Sequence, residues 1–97
     1  MRIISTRRIK DFCLTHPNAE PTCTEWIREV RHAEWENPNQ LRNLYPSASI
    51  LPKNRAVFRL GGGNYRLIVV IHYDRGIVYI RFIGTHAEYD KIDANTI

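Results

Sequence analysis

Ninety-seven residues are one domain's worth of chain, enough for one hydrophobic core of modest depth. The composition is 43% hydrophobic, 25% charged and 10% aromatic, which excludes a disordered chain with few aromatics and high net charge. Fourteen basic residues against ten acidic ones leave +4, and eleven of the fourteen are arginines, whose planar fork matches phosphate in two-point contacts. Such a basic domain points to nucleic acid as a partner; surface ion pairs and solubility are the competing explanation.

In chain order, Arg2-Ile3-Ile4 reads as a short strand. Ser5 or Thr6 can cap a helix to about Thr15, whose apolar stripe is Ile9, Phe12, Cys13 and His16. His16-Pro17-Asn18 breaks it, and Asn18 can cap a second helix with Pro21 in its first turn. Cys23, Trp26, Ile27, Val30 and Ala33 mark one face of that helix. Asn37-Pro38 has the form of a cap followed by proline and opens a short helix that stops before Pro46. The period then changes to two: Ala56 to Leu60, Tyr65 to Tyr73 and Ile77 to Ile83 read as strands joined by short glycine-bearing turns. Helices followed by strands predict one α+β domain over residues 1–97, a small antiparallel sheet of three to four strands packed on N-terminal helices.

The longest apolar run, Leu67 to Ile71, falls far short of the ~20 residues of a membrane span. The start of the chain lacks the apolar stretch of a secretory signal, and Cys13 and Cys23 make neither a disulfide framework nor a zinc motif. Both are expected to be buried and reduced, in a cytoplasmic protein without membrane contact. Trp26 and Trp35 read as core, and His72 as a solvated surface histidine.

Register decides what the arginines mean, because a one-residue slip turns every side chain over. Setting Ile71 beside Ile80, Val69 beside Phe82 and Phe58 beside Leu67 collects Phe58, Leu60, Leu67, Val69, Ile71, Val78, Ile80 and Phe82 on one apolar face. The opposite, open face then carries Arg59, Arg66, His72, Tyr79 and Arg81, with Arg59 opposite Arg66 and Arg81 opposite Val70. A bulge near Asp74-Arg75-Gly76 would shift this pairing. Asp and Glu are absent from Ala56 to Tyr73, so acids that neutralise the arginines would have to come from elsewhere. After the last strand come His86 and Tyr89: an imidazole that titrates near neutrality when unperturbed, and a phenol that can donate a proton or stack on a base. His86 and Asp90 have helical spacing but no further metal ligands, so neither metal nor cofactor is expected. Arginine, histidine and tyrosine without a metal suit RNA cleavage by the adjacent 2′-hydroxyl. The protein then aligns the hydroxyl, neutralises the pentacovalent phosphorus and moves two protons. His86, Tyr89 and Lys53 are the candidates for proton transfer, since arginine does not deprotonate.

Several segments together resemble a known family: Arg2-Ile3-Ile4-Ser5, Tyr45-Pro46-Ser47, Val57-Phe58-Arg59-Leu60-Gly61-Gly62, Asn64-Tyr65-Arg66-Leu67, Tyr79-Ile80-Arg81-Phe82 and Gly84-Thr85-His86-Ala87-Glu88-Tyr89-Asp90. Over nearly the whole chain the sequence is similar to HigB-type toxins of the RelE-like superfamily of mRNA interferases. The resemblance implies an endoribonuclease toxin of a type II toxin-antitoxin system that cuts mRNA on the ribosome at the A site. It also implies a HigA-like helix-turn-helix antitoxin that neutralises the toxin, with operator DNA bound only through the complex. By motif, Arg66 and Arg81 match the phosphate-stabilising positions and His86 and Tyr89 the C-terminal catalytic pair. Lys53 and Arg59 are RNA-binding candidates, Arg59 from the register argument. Superfamily members often use several active-site lysines, and this chain has three in all. The alternative from another class is a non-catalytic basic RNA- or ribosome-binding module.

Overall fold

The computed structural model describes residues 1–97. Its order is β1 (Arg2–Ile4), α1 (Arg7–Thr15), a 3₁₀ turn (Pro17–Ala19), α2 (Glu20–His32), α3 (Pro38–Leu44), β2 (Ser49–Leu51), β3 (Arg55–Leu60), β4 (Tyr65–His72), β5 (Ile77–Thr85) and α4 (His86–Tyr89). The α+β class holds, but the sheet has five strands in the order β1-β5-β4-β3-β2 and is mixed, because β1 runs parallel to β5. A parallel neighbour needs a long crossover between the paired strands, and most of the chain separates β1 from β5.

Local signals set most boundaries. Asn37 caps α3 by accepting from the Gln40 backbone N–H at 3.1 Å, and Pro38 fills the first helical position, where its missing N–H costs no bond. Asn18 caps nothing: it lies inside the 3₁₀ turn, and α2 starts from Ala19 with Pro21 in its first turn. The Gly61-Gly62-Gly63 link takes positive φ at all three residues (59°, 68° and 94°), a run that side chains would strain.

One face of the sheet meets the helices. Ile9, Cys23, Trp26, Val30 and Leu41 pack there against Ala56, Phe58, Leu60, Leu67, Val69, Ile71, Val78 and Ile80. Trp26 stands edge-on to Phe58 with ring centroids 5.3 Å apart, and Trp35 joins the same core. Cys23 is buried as expected, whereas Cys13 is only half-buried because it opens onto the groove between α1 and α2.

The register differs from the expected one in an instructive way. Ile71 faces Val78 and Val69 faces Ile80, a shift of two residues, so these side chains keep their faces. The bulge lies between Ile68 and Val69 rather than at the Asp74–Gly76 turn, and it leaves Arg81 without a partner on β4. Beyond it Phe82 faces Ile68 and Ile83 faces Leu67, so Phe82 leaves the helix face and Ile83 joins it. Tyr79, not Arg81, stands opposite Val70.

The far face is therefore not fully open. Its middle row, Val57–Ile68–Phe82, is apolar, and the segment after α4 covers it with Ile92, Ala94 and Ile97. Arg55 clamps this segment: its guanidinium donates to the Ala94 and Ile97 carbonyls at 3.3 and 2.7 Å.

Candidate active site

The strongest concentration of functional groups lies at the end of the far face where β3 and β4 meet the glycine link. Arg59, Arg66 and Gly84 form one row across three strands. Arg59 is exposed, and Arg66 is buried at 7% exposure. Only Arg7 and Arg28, among the arginines, have an Asp or Glu carboxylate within 4.0 Å. Arg59 and Arg66 are thus without ionic partners, whereas Arg55 and Arg81 meet the Ile97 oxygen at 2.7 and 3.4 Å.

Arg66 uses Nη1 on the Gly63 and Tyr65 carbonyls, and its Cζ lies 5.8 Å from the centroid of the Tyr89 ring. A cation held over an aromatic face is favoured by about 0.5–2 kcal/mol. Its Nε and Nη2 have no protein partner and are not sealed from solvent. A largely buried cation with free donors is costly unless an anion completes it.

Gly84 makes this arrangement possible. A methyl group there would stand 2.5 Å from Cζ of Phe82 and 3.2 Å from Oε1 of Glu88. The bare backbone opposite Arg66 leaves room for the Phe82 ring and for the turn into α4. Thr85 caps α4 by accepting from the Glu88 N–H at 3.2 Å, and Glu88 accepts from the Thr85 N–H at 2.8 Å. That backbone hydrogen bond holds the Glu88 carboxyl below the usual carboxylate range.

This capping box orients His86 and Tyr89. The His86 N–H donates to the Asn64 carbonyl at 3.0 Å, which ties the start of α4 to the start of β4 two residues from Arg66. His86 is exposed, and its Nδ1 lies 3.0 Å from Oδ2 of Asp90. The carboxylate thereby holds the ring through Nδ1, and Nε2 has no protein partner. Asp90 was visible in the sequence only as an i, i+4 partner of His86. That its carboxylate reaches the ring appears once α4 is seen. Tyr89 is half-buried over the apolar row beside the chain's last residues.

The expected residues are not all together. Arg59, Arg66, His86 and Tyr89 share this end. Arg81 lies on the same side of the sheet as Arg66 but is held elsewhere, with its Nε 3.4 Å from the Ile97 carbonyl. Lys53 sits in the turn before β3, at the opposite end of that strand from Arg59, exposed and with φ of 60°. Arg55 and Arg59 are four residue steps apart on β3, about 13 Å of strand, and Lys53 lies beyond Arg55, so it does not join the proton-transfer candidates. His72 is not simply solvated: its ring stands edge-on to Tyr79 with centroids 5.3 Å apart. Arg55 was not singled out from the sequence, and the only signal for it was strand alternation with Val57 and Arg59.

An α+β domain thus gathers an arginine row without Asp or Glu partners, a His–Asp pair and a tyrosine, groups that offer hydrogen-bond donors to an anion. Comparison with known proteins agrees. A family model described as the RelE-like toxic component of a toxin-antitoxin system matches residues 19–92, and the chain belongs to this HigB toxin family. It is similar to the mRNA interferase HigB of Escherichia coli O6:H1, 26% identical over 94 residues that cover 95% of this chain and 91% of that protein. It is also similar to the mRNA interferase toxin HigB of Escherichia coli K12, 26% identical over 97 residues, 97% of this chain and 92% of that protein. The mRNA interferase HigB of Shigella flexneri matches to the same extent. No helix is long and apolar enough to cross a membrane.

Proposed function

We propose that this toxin is an endoribonuclease that cuts mRNA without a metal ion, in the cytoplasm, by attack of the 2′-hydroxyl on the adjacent phosphorus. The observation that carries the reading is Arg66: a residue with 7% exposure, no Asp or Glu carboxylate within 4.0 Å and two guanidinium nitrogens without a protein partner. An RNA phosphate completes it. As the phosphorus becomes pentacovalent, negative charge grows on its non-bridging oxygens, and Arg66 and Arg59 bind that charge more tightly than the ground state.

His86 serves proton transfer through Nε2, with Asp90 holding the ring. It donates its Nε2 proton to the departing 5′-oxygen, the proton of the attacking 2′-hydroxyl passes to solvent water, and Tyr89 packs against the displaced base. The products are a 2′,3′-cyclic phosphate and a 5′-hydroxyl. Arg81, exposed at the bulge, holds a flanking phosphate.

The same reading assigns the substrate to mRNA in the ribosomal A site and neutralisation to a HigA-like helix-turn-helix antitoxin. Operator DNA is then met only through that complex. Family membership and the names of the Escherichia coli relatives support the mRNA target and an antitoxin partner. The test is inducible expression of wild type and of the Arg66→Ala variant, with new mRNA ends mapped across the transcriptome. Wild type creates ends within reading frames and arrests growth; equal cleavage by Arg66→Ala at equal abundance contradicts the site. A basic binding module without catalysis would bind ribosomes in a salt-sensitive way and create no ends.

A further inference from the structure

The far face carries a second basic cluster at the end remote from Arg66. Pairing sets His72, Ile77 and Arg2 in one row, and Arg55, Val70, Tyr79 and Ile4 in the next. Arg81 follows at the bulge, and Arg8 of α1 reaches it by donating to the Arg81 carbonyl at 3.2 Å. Arg2 and Arg8 are exposed, and neither has an Asp or Glu carboxylate within 4.0 Å; Arg81 is exposed too, with its Nε on the Ile97 oxygen. The His72–Tyr79 pair shares the rows of Arg2 and Arg55, both rings half-exposed and crossed at 73°. The acid nearest in sequence is Asp74, in the turn that follows β4, and it is unpaired.

We infer that this cluster is a second contact surface, for single-stranded RNA, separate from the Arg66 site. The inference rests on the reading that the chain acts on RNA. Guanidinium groups that lack carboxylates take phosphates, and half-exposed rings offer faces on which unpaired bases stack. A duplex would hide its bases from those rings, and an acidic protein would leave them unused. The six residue steps along β4 from Arg66 to His72 span about 20 Å. The segment 92–97 lies between the two clusters over the apolar row, so only a strand of several nucleotides reaches both.

The test uses purified protein and labelled, uncleavable 2′-O-methyl RNA, as a trinucleotide and as a dodecanucleotide, with binding read by anisotropy. Wild type binds the longer strand more tightly. Tyr79→Ala weakens the dodecanucleotide about tenfold, the loss of roughly one stacked base, and leaves the trinucleotide unchanged. Tyr79→Phe restores the affinity because it keeps the ring. Replacing Arg2 and Arg8 by alanine lowers the salt slope for the longer strand by about 1.4, as expected for two lost phosphate contacts. Thermal unfolding confirms that each variant is folded. Equal binding of both lengths, an unchanged Tyr79→Ala affinity, or a preference for duplex RNA or an acidic peptide overturns the inference. Cleavage of mRNA on ribosomes by wild type is measured alongside: its absence sinks the proposed activity, whereas cleavage on ribosomes with an unaltered length dependence of binding in Tyr79→Ala sinks only the second surface.

Discussion

Arg59 and Arg66 stand directly opposite each other on β3 and β4, and neither has a carboxylate within 4.0 Å. Like charges facing each other across strands destabilise a sheet by a few tenths of a kcal/mol, up to about 1. Arg59→Ala is therefore expected to keep or slightly raise the melting temperature while it lowers RNA cleavage. Arg66→Ala is expected to lower cleavage by about 100-fold or more, the usual loss when one donor to a developing charge is removed. Calorimetry and cleavage rates on the same preparations check both. A marked fall in stability for Arg59→Ala would mean that its charge is structural.

Gly84 is the position least able to accept a side chain. Gly84→Ala sets a methyl group 2.5 Å from the Phe82 ring and forces it off the Val57–Ile68 row. Overpacking of this kind costs about 1–3 kcal/mol. The variant is expected to melt at least about 4 °C lower and to lose cleavage through displacement of Tyr89. An unchanged melting temperature contradicts the packing described around Arg66.

The capping box gives α4 a pH dependence of definite sign. The Thr85 N–H holds the folded Glu88 carboxyl below its ordinary value. The cap's contribution is thus present above the unfolded value of about 4.3 and is lost as pH falls through the lower folded one. Protection of the Thr85 amide, its exchange rate relative to that of the unfolded chain at the same pH, is expected to fall below that range in wild type and to be low at every pH in Glu88→Ala. Protection in wild type that ignores pH between neutrality and strong acid contradicts the cap.

The two thiols are expected to react very differently. Burial, with Cys13 alongside, pushes the Cys23 thiol up to about 12, so almost no thiolate exists near neutrality. Cys13 opens onto the α1–α2 groove. Iodoacetamide should therefore label Cys13 in the native protein and Cys23 only after unfolding, as peptide mass mapping would reveal. Fast labelling of Cys23 in the native state contradicts the helix packing.

The helices, the three long strands and the arginine-bearing face were legible from periodicity, because each element buries one face and the spacing of Leu67, Val69 and Ile71 admits only a two-fold repeat. The two-residue register shift went unseen because it leaves that parity intact. The bulge at Arg81 was not legible: Ile80-Arg81-Phe82-Ile83 alternates poorly, and either Phe82 or Ile83 can serve the core. The covering of Val57, Ile68 and Phe82 by Ile92, Ala94 and Ile97 was missed for a related reason. Three apolar residues scattered in a polar tail show no period, and only the exposed apolar row makes them necessary. In the site, Arg59 facing Arg66 followed from register alone. The His86–Asp90 pair needed the helical turn that Thr85 and Glu88 create.

The account depends most on the claim that RNA supplies its own nucleophile. Ribosomes carrying an mRNA with one 2′-deoxynucleotide at the cleaved position, compared with the all-ribose message, test it directly. The account predicts that the deoxy substitution abolishes cutting at that position and that the ribose message yields 2′,3′-cyclic phosphate ends. Cutting that persists at the deoxy position, or ends bearing 5′-phosphates, contradicts it.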